Sequence, residues 1–287
     1  MRVKEITSPQ NPIIKELSQL LAKSKARREQ GRFLVEGFRE VSRALCSGYH
    51  LESLLYRPEF IPTEDELSAR LAEDSRSFGN VELTKIRETQ HLHCSANVFA
   101  KVAYRVEVPN VVAVFKTRRL ENLSCLAEGA KTNPLILILE GIEKPGNLGA
   151  ILRSADAFGV DGVILVNSHA DLEHPNTIRN SLGAALALEV ISLELDDCCH
   201  RLNQAGVPLY VTHLSVNSVE PRTLKLDQAC ALVLGAEACG ASAQWFDRGA
   251  QATLIPMAEE RVVDSLNVSV AAAVMLYEAS RQRRDHR

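Results

Sequence analysis

The sequence predicts two α/β domains, a small one followed by a larger one built on a parallel sheet. Three features carry that reading. The 287 residues exceed the roughly 100 to 200 of a typical single domain. A short strand, a helix and a second strand succeed one another within residues 33–56. From Pro134 onward, apolar strands alternate with helical stripes. The composition, 46% hydrophobic and 24% charged, is that of an ordinary soluble globular chain. No apolar run approaches the roughly 20 residues needed to span a bilayer, and Met1-Arg-Val-Lys-Glu5 lacks the apolar stretch of a signal peptide. A cytoplasmic location and no membrane partner are therefore expected. Seven cysteines, with Cys198 and Cys199 adjacent and no Cys-x-x-Cys pair, argue against a disulfide framework and a zinc site, and no metal is expected.

The first helix is expected over Asn11–Leu21, where Ile13, Ile14, Leu17, Leu20 and Leu21 recur at helical spacing and Pro12 sits in the first turn. Phe33–Glu36 reads as a strand ended by Gly37, Phe38–Leu45 as a helix and Leu51–Tyr56 as a strand, a succession that suggests parallel pairing. Val98–Val114 is rich in β-branched residues but holds Pro109, which fits strands near a domain edge. Residues 118–133 form the expected linker between domains spanning 1–117 and 134–287. Leu135–Leu139 is the continuous apolar run of a strand buried on both faces. After a Pro145-Gly146 turn, Leu148, Ile151, Leu152, Ala155 and Phe158 form a helical stripe capped by Gly159. Val163–Val166, Pro208–Thr212, Ala231–Leu234 and Thr253–Ile255 are further strands. Ser265 is the expected N-cap of a last helix with Leu266, Val270, Ala273, Val274 and Tyr277 as its core face.

Three stretches hold residues that core packing does not explain. A strand ending at Glu140-Gly141, a turn, and a helix starting near Asn147 present backbone N–H groups and a positive dipole end to an anion. Gly146 and Gly149 match neither the dinucleotide fingerprint nor a P-loop, which argues against a Rossmann-type oxidoreductase. Arg153 precedes Asp156 by one turn, so a surface ion pair is its plainest structural reading. Gly235 follows the strand Ala231–Leu234, at the edge where open parallel sheets bind ligands, with Glu237 and Gly240 beyond it. Taken alone, a loop glycine and a solvated carboxylate account for that stretch. Asn267 stands in the first turn of a nearly all-apolar helix, where its amide is available to a ligand or a facing loop.

Read jointly, Asn147-x-Gly149-x-x-x-Arg153-x-Ala155, Gly235-x-Glu237-x-x-Gly240, and Ile255-Pro-Met257 followed by Ser265-Leu-Asn-Val-Ser269 resemble the three signature motifs of the SpoU (TrmH-type) RNA ribose 2′-O-methyltransferases. Ser8-Pro-Gln-Asn11, Arg28 and Phe33-Leu-Val-Glu-Gly37 are similar to the ribosomal-protein-like substrate-binding domain that often precedes the catalytic one. The resemblance implies a SPOUT-type α/β fold with a deep trefoil knot, among the few exceptions to the no-knot rule. It implies S-adenosylmethionine as cofactor, a homodimer formed through the C-terminal domain, and methyl transfer to a ribose 2′-OH of structured RNA. Ribosomal RNA is favoured over transfer RNA because an auxiliary N-terminal domain is present. Cofactor contacts fall on Leu234, Gly235, Gly240, Ile255, Met257 and Leu266, and the reaction centre on Arg153, Asn147, Glu237, Ser265 and Asn267. The family proposal gives Arg153 the activation of the hydroxyl. A guanidinium is a poor base, so orienting the target phosphate or stabilising the forming alkoxide stays open beside that role. The chain carries Ala236 and Ala238 where members commonly have Asn and Gly, and its stretch 258–264 is longer. A non-catalytic RNA-binding or assembly factor on the same fold is the competing reading.

RNA binding relies on positive potential, whereas the net charge is −3, so an RNA site must be a local patch. Residues 1–43 hold ten basic and five acidic side chains, a local excess of +5, and Asn11, Lys15, Arg28 and Arg32 are the candidate contacts there. Arg281, Arg283, Arg284 and Arg287 against Asp285 form a second cluster at the tail. A solvated helix face accounts for the first cluster equally well from charge alone.

Overall fold

The computed structural model describes residues 3–75, 79, 83–104, 111–130, 132–215, 217–236, 240–260 and 262–285. The chain divides into two compact units, Met1–Arg118 with Asp171–Ala187, and Arg119–Ala170 with Leu188–Arg287. The first part runs β1 (Lys4–Ile6), α1 (Pro12–Ala22), α2 (Ser24–Gln30), β2 (Arg32–Glu36), α3 (Phe38–Cys46), β3 (Leu51–Tyr56), α4 (Glu64–Ser75), α5 (Leu83–Glu88), β4 (Gln90–Cys94), α6 (Ala96–Phe99) and β5 (Val111–Lys116). There follow β6 (Leu135–Glu140), α7 (Pro145–Ala157), β7 (Gly162–Val166), α8 (Pro175–Asn180), α9 (Ala184–Ala187), β8 (Val190–Leu193), α10 (Leu195–Gln204), β9 (Leu209–Thr212), β10 (Cys230–Leu234), β11 (Gln251–Thr253) and α11 (Val268–Asp285).

In the first unit the sheet order is β1-β4-β3-β5-β2. β2 and β3 are not paired with each other, contrary to the expectation from their succession: each lies antiparallel to β5, while β1 and β3 lie parallel to β4. The cause is β5, which is apolar on both faces and so takes an interior position. The edge position expected of Val98–Val114 is not found, because the strand begins only after Pro109 and Val98 lies in α6. Burial alternates with period two. Phe33, Val35, Tyr56 and Phe115 enter one core with Val41 of α3 and Leu67 of α4, whereas Leu34, Leu55 and Val114 enter another with Ile14, Leu17 and Leu20 of α1. Asn11 caps α1, its Oδ1 accepting from the Ile13 N–H at 3.0 Å.

α8 and α9 complete the first core through Ile178 and Leu186, although they arrive from far along the chain. Arg27 fastens the connection. Its guanidinium, only 1% exposed, donates to the Leu20 carbonyl and pairs with Asp171 at 2.5 Å. One member of the N-terminal basic cluster is thus an interior residue.

The second unit holds a six-stranded sheet in the order β11-β9-β10-β6-β7-β8, with every pair parallel. β6 and β10 are buried along their whole length, which is why they read as unbroken apolar runs. One face is filled by Cys198, Cys199 and Leu202 of α10 together with Trp245, Leu123 and Cys125. The last two lie in the stretch expected as a linker, where a short 3-10 turn at Ser124–Leu126 packs into this core. On the other side α7 packs against α11. The described cysteines are all free thiols, and burial pushes those of Cys94 and Cys198 up to about 12.

Three expectations shift. α7 starts at Pro145, with Lys144 as its N-cap, so Asn147 already lies in the first turn rather than after a separate Pro-Gly turn. β11 ends at Thr253, leaving Ile255 in the loop that follows. α11 begins at Val268 and buries Val268, Ala272, Met275, Leu276 and Ala279, whereas Leu266, Val270, Val274 and Tyr277 are exposed. The helix is apolar on both sides, so periodicity alone could not choose the face turned inward. At its far end Gln282 accepts from the Leu226 N–H at 2.9 Å, and Arg283 donates to the carbonyls of Asn133 and Leu226 at 2.7 and 2.8 Å. Arg281 is taken up by Glu278 and Asp285. The tail arginines at 281 and 283 therefore serve structure; Arg287 lies outside the described residues.

The topology reverses between β6 and β10, since the chain builds outward through β7 and β8 before returning to the other side. Open parallel sheets bind ligands beyond the carboxyl ends of the strands at such a point. Glu140 ends β6 there, 7% exposed, and its Oε2 accepts from the Ser242 N–H at 2.8 Å and the Trp245 Nε1–H at 2.7 Å. Replacing Glu140 by Leu orphans two enclosed donors and is expected to lower stability by about 2–5 kcal/mol. A urea midpoint unchanged from the parent chain would show that the carboxylate is not an anchor.

Candidate active site

Beyond β9, β10 and β11 lies a groove of about 600 Å³, within the roughly 300–1,000 Å³ that small-molecule sites occupy. Its walls come from four stretches: the end of β9, the end of β10 with the following loop, the loop after β11, and the approach to α11. All six residues expected to contact a cofactor line it: Leu234, Gly235, Gly240, Ile255, Met257 and Leu266. Segments far apart in sequence thus share one cavity beyond the carboxyl ends of these strands.

Gly235 is the narrowest point of that construction. A Cβ placed there would stand 1.9 Å from the Ala241 nitrogen and 2.0 Å from the Gly240 carbonyl carbon. No side chain fits, because the obstacle is backbone. Gly240 adopts φ +68°, and its N–H closes the turn on the Ala236 carbonyl at 2.9 Å. Glu237 and Ala238 lie outside the described residues.

Ser265 and Asn267 line the same groove. The cap of α11 is Asn267 rather than Ser265: its Oδ1 accepts from the Ser269 N–H at 2.9 Å and the Ser269 hydroxyl at 2.6 Å, and its carbonyl accepts from Val270 and Ala271. Ser265 is exposed and donates only to Asp264, at 3.3 Å. The polar residue in an apolar first turn is thereby explained in part by capping. Its Nδ2 remains free to donate to Asn147 Oδ1, 3.4 Å away, which joins the first and third sequence stretches.

Arg153 is exposed on α7 and forms no hydrogen bond or ion pair with any described residue, so the expected pair with Asp156 is not made. Six residues separate it from Asn147. At about 100° per residue the two point about 120° apart around the helix, so α7 does not aim both at one spot. In the first unit Asn11 is committed to its cap, while Lys15 and Arg28 are exposed. Arg32 departs from the expectation of a free contact: it pairs with Glu16 and, at 3.4 Å, with Glu52, and donates to Gln30 at 3.0 Å. Among the described residues, no group of three His, Cys, Asp or Glu side chains is placed to hold a metal ion. No described helix is long and apolar enough to cross a membrane.

One wall escaped the motif reading. Thr212, His213 and Leu214, at the carboxyl end of β9, line the groove but belong to none of the three motifs. The only available signal was the position of a strand end in an open sheet.

Comparison with known proteins identifies the family. Residues 134–277 match the SpoU rRNA Methylase family, and residues 11–113 the MRM3-like substrate binding domain. The chain is 31% identical to an uncharacterized tRNA/rRNA methyltransferase of Synechocystis sp., across 98% of this chain and 95% of that one. It is 28% identical to a 23S rRNA (guanosine-2′-O)-methyltransferase of Bacillus subtilis, covering 96% and 98%. The crystal structure of an AdoMet-bound rRNA methyltransferase from Sinorhizobium meliloti superposes with a TM-score of 0.81 at 30% identity, covering 97% and 98%. The SpoU methyltransferase AviRb of Streptomyces viridochromogenes, in complex with AdoMet, gives 0.78 at 27%, covering 97% and 100%. With both parts of the chain matched, it belongs to the SpoU rRNA methylase family.

Proposed function

We propose that the protein transfers a methyl group from S-adenosylmethionine to a ribose 2′-hydroxyl of ribosomal RNA. The observation that carries this is the groove at the ends of β9, β10 and β11, lined by every residue assigned to the cofactor. Its chemistry fits the group. Gly235 and Gly240 bring backbone amides and carbonyls to the cavity wall, suited to an adenine edge, and Leu234, Ile255, Met257 and Leu266 offer apolar surface. S-adenosylmethionine, when bound, supplies an electrophilic methyl on a sulfonium. The protein must then hold the hydroxyl in line with it and take up a proton. Asn147 and Asn267, linked at 3.4 Å, order the rim between α7 and α11. Arg153, without a partner among the described residues, is available to a phosphate or to the developing alkoxide, roles that use a fixed positive fork. Ribosomal RNA as substrate is supported by the match to a substrate-binding domain and by the activities named for relatives spanning nearly the whole chain, and a cytoplasmic setting is part of the same proposal.

The exposed apolar stripe Leu266, Val270, Val274 and Tyr277, extended by the edge-on contact of Tyr277 with Phe158 at 6.1 Å, is the surface we assign to a second copy of the chain. Sedimentation of the intact chain is expected to give a dimer that Val274→Glu converts to a monomer. A parent chain that sediments as a monomer at micromolar concentration would remove the assignment.

Methyl transfer is tested by incubating labelled S-adenosylmethionine with unmodified ribosomal and transfer RNA and mapping the product nucleotide. Arg153→Ala is expected to slow transfer about 10²-fold with cofactor affinity unchanged, and Arg153→Lys to restore little of it. Near-normal transfer by the lysine variant would exclude a role that needs the fork. For RNA binding, Arg28→Ala should reduce the slope of log affinity against log salt by about 0.7–0.9 per lost phosphate contact. Arg32→Ala should act mainly on stability, since its guanidinium is already paired. An unchanged salt slope for Arg28→Ala would leave that residue as a solvated helix charge.

A further inference from the structure

His213 follows β9 at the wall of the groove that no signature motif supplies. Its backbone is tied on both sides: the N–H donates to the Thr253 carbonyl at 2.9 Å, and the carbonyl accepts from the Ser218 hydroxyl at 2.7 Å. The imidazole packs edge-on against Phe246, centroids 5.1 Å apart at 81°. The ring is therefore held in place before any ligand arrives.

That placement encloses Nδ1, which has no hydrogen-bond partner. A proton there would be an enclosed donor without an acceptor, a costlier defect than an idle lone pair. Placing the ring proton of the neutral imidazole on Nε2 avoids that defect. Nε2 has no partner among the described residues and is not enclosed as Nδ1 is, so it is the nitrogen open to a ligand in the groove that His213 lines. Beside it stand Leu214, which is 67% exposed, and Thr212, whose hydroxyl is spent on the Val233 carbonyl at 3.1 Å. On this wall His213 is the side chain with an uncommitted N–H.

We propose that His213 Nε2–H is a recognition donor for the methyl-donor cofactor, hydrogen-bonding one of its acceptor groups, and that it positions the cofactor without taking part in transfer. The proposal rests on the reading that the groove binds S-adenosylmethionine. The test is calorimetry of S-adenosylmethionine with the full chain and with His213→Phe and His213→Gln, alongside ring ¹⁵N NMR of the parent protein with and without S-adenosylhomocysteine. The phenylalanine keeps the contact with Phe246 and loses the donor, and is expected to weaken binding about 3- to 10-fold. Glutamine restores an N–H and should recover part of the loss. The free parent protein should show the Nε2–H tautomer, and the Nε2 signal should move on ligand addition, a readout that survives even if a variant fails to fold. Unchanged affinity in His213→Phe with an unmoved ring signal, while the parent chain binds, would overturn the role of His213 alone. A parent chain that does not bind S-adenosylmethionine would overturn the cofactor reading and this inference with it.

Discussion

The groove depends on one close approach of backbone to backbone, Gly235 against Gly240 and Ala241, and on the carboxylate that holds the facing loop in place. Glu140 sits at the end of the central strand and accepts two N–H bonds from the stretch just beyond Ala241. A buried carboxylate without such donors would be costly, and those donors buried without it would be costly too, so each half requires the other. Once that loop is fixed, Gly235 can have no side chain, and the Gly240 N–H reaches back to the Ala236 carbonyl. The loop after β11 and the approach to α11 then complete the cavity, with Ile255, Met257 and Leu266 as apolar lining beside the glycines.

The polar groups around that cavity divide by their commitments. Asn267 is half spent: its oxygen caps α11 and its nitrogen reaches Asn147. Thr212 and Thr253 are spent on backbone carbonyls. Among the described residues, Arg153 and the Nε2 of His213 have no partner and keep capacity for RNA or cofactor. The same accounting separates Arg28, which is exposed, from Arg27 and Arg32, which are paired. Local charge density overstates the positive potential of residues 1–43, because Arg27, Arg32 and Arg39 are each paired with a carboxylate.

The elements themselves were largely legible in the residues. Continuous apolar runs identified β6 and β10, helical spacing identified α1 and α7, and Leu51–Tyr56 was read with its observed bounds. Pairing was not legible: β2 and β3 follow each other in sequence yet both flank β5, because strand neighbours are chosen by which residues can be buried on two faces. The inward side of α11 was misjudged for a related reason. A helix apolar all round carries no directional signal, and only its packing against α7 selects Ala272, Met275 and Leu276.

For the site, it was the resemblance of three ordered motifs to a known family that put Leu234, Gly235, Gly240, Ile255, Met257, Ser265, Leu266 and Asn267 on one list, and the folded chain places them along one groove. Partners that lie far along the chain were beyond reach. Arg27 finds Asp171 at a separation of 144 residues, and Asn267 finds Asn147 at 120, distances over which no periodicity or motif constrains contact. His213 belongs with these: one unremarkable histidine after a strand, given its meaning by Phe246, by Thr253 and by a cavity assembled from other segments. Local sequence specifies elements and their caps because those interactions span a few residues. Which side chains end up free to meet a ligand depends on long-range burial, and that is settled only when the sheet has formed.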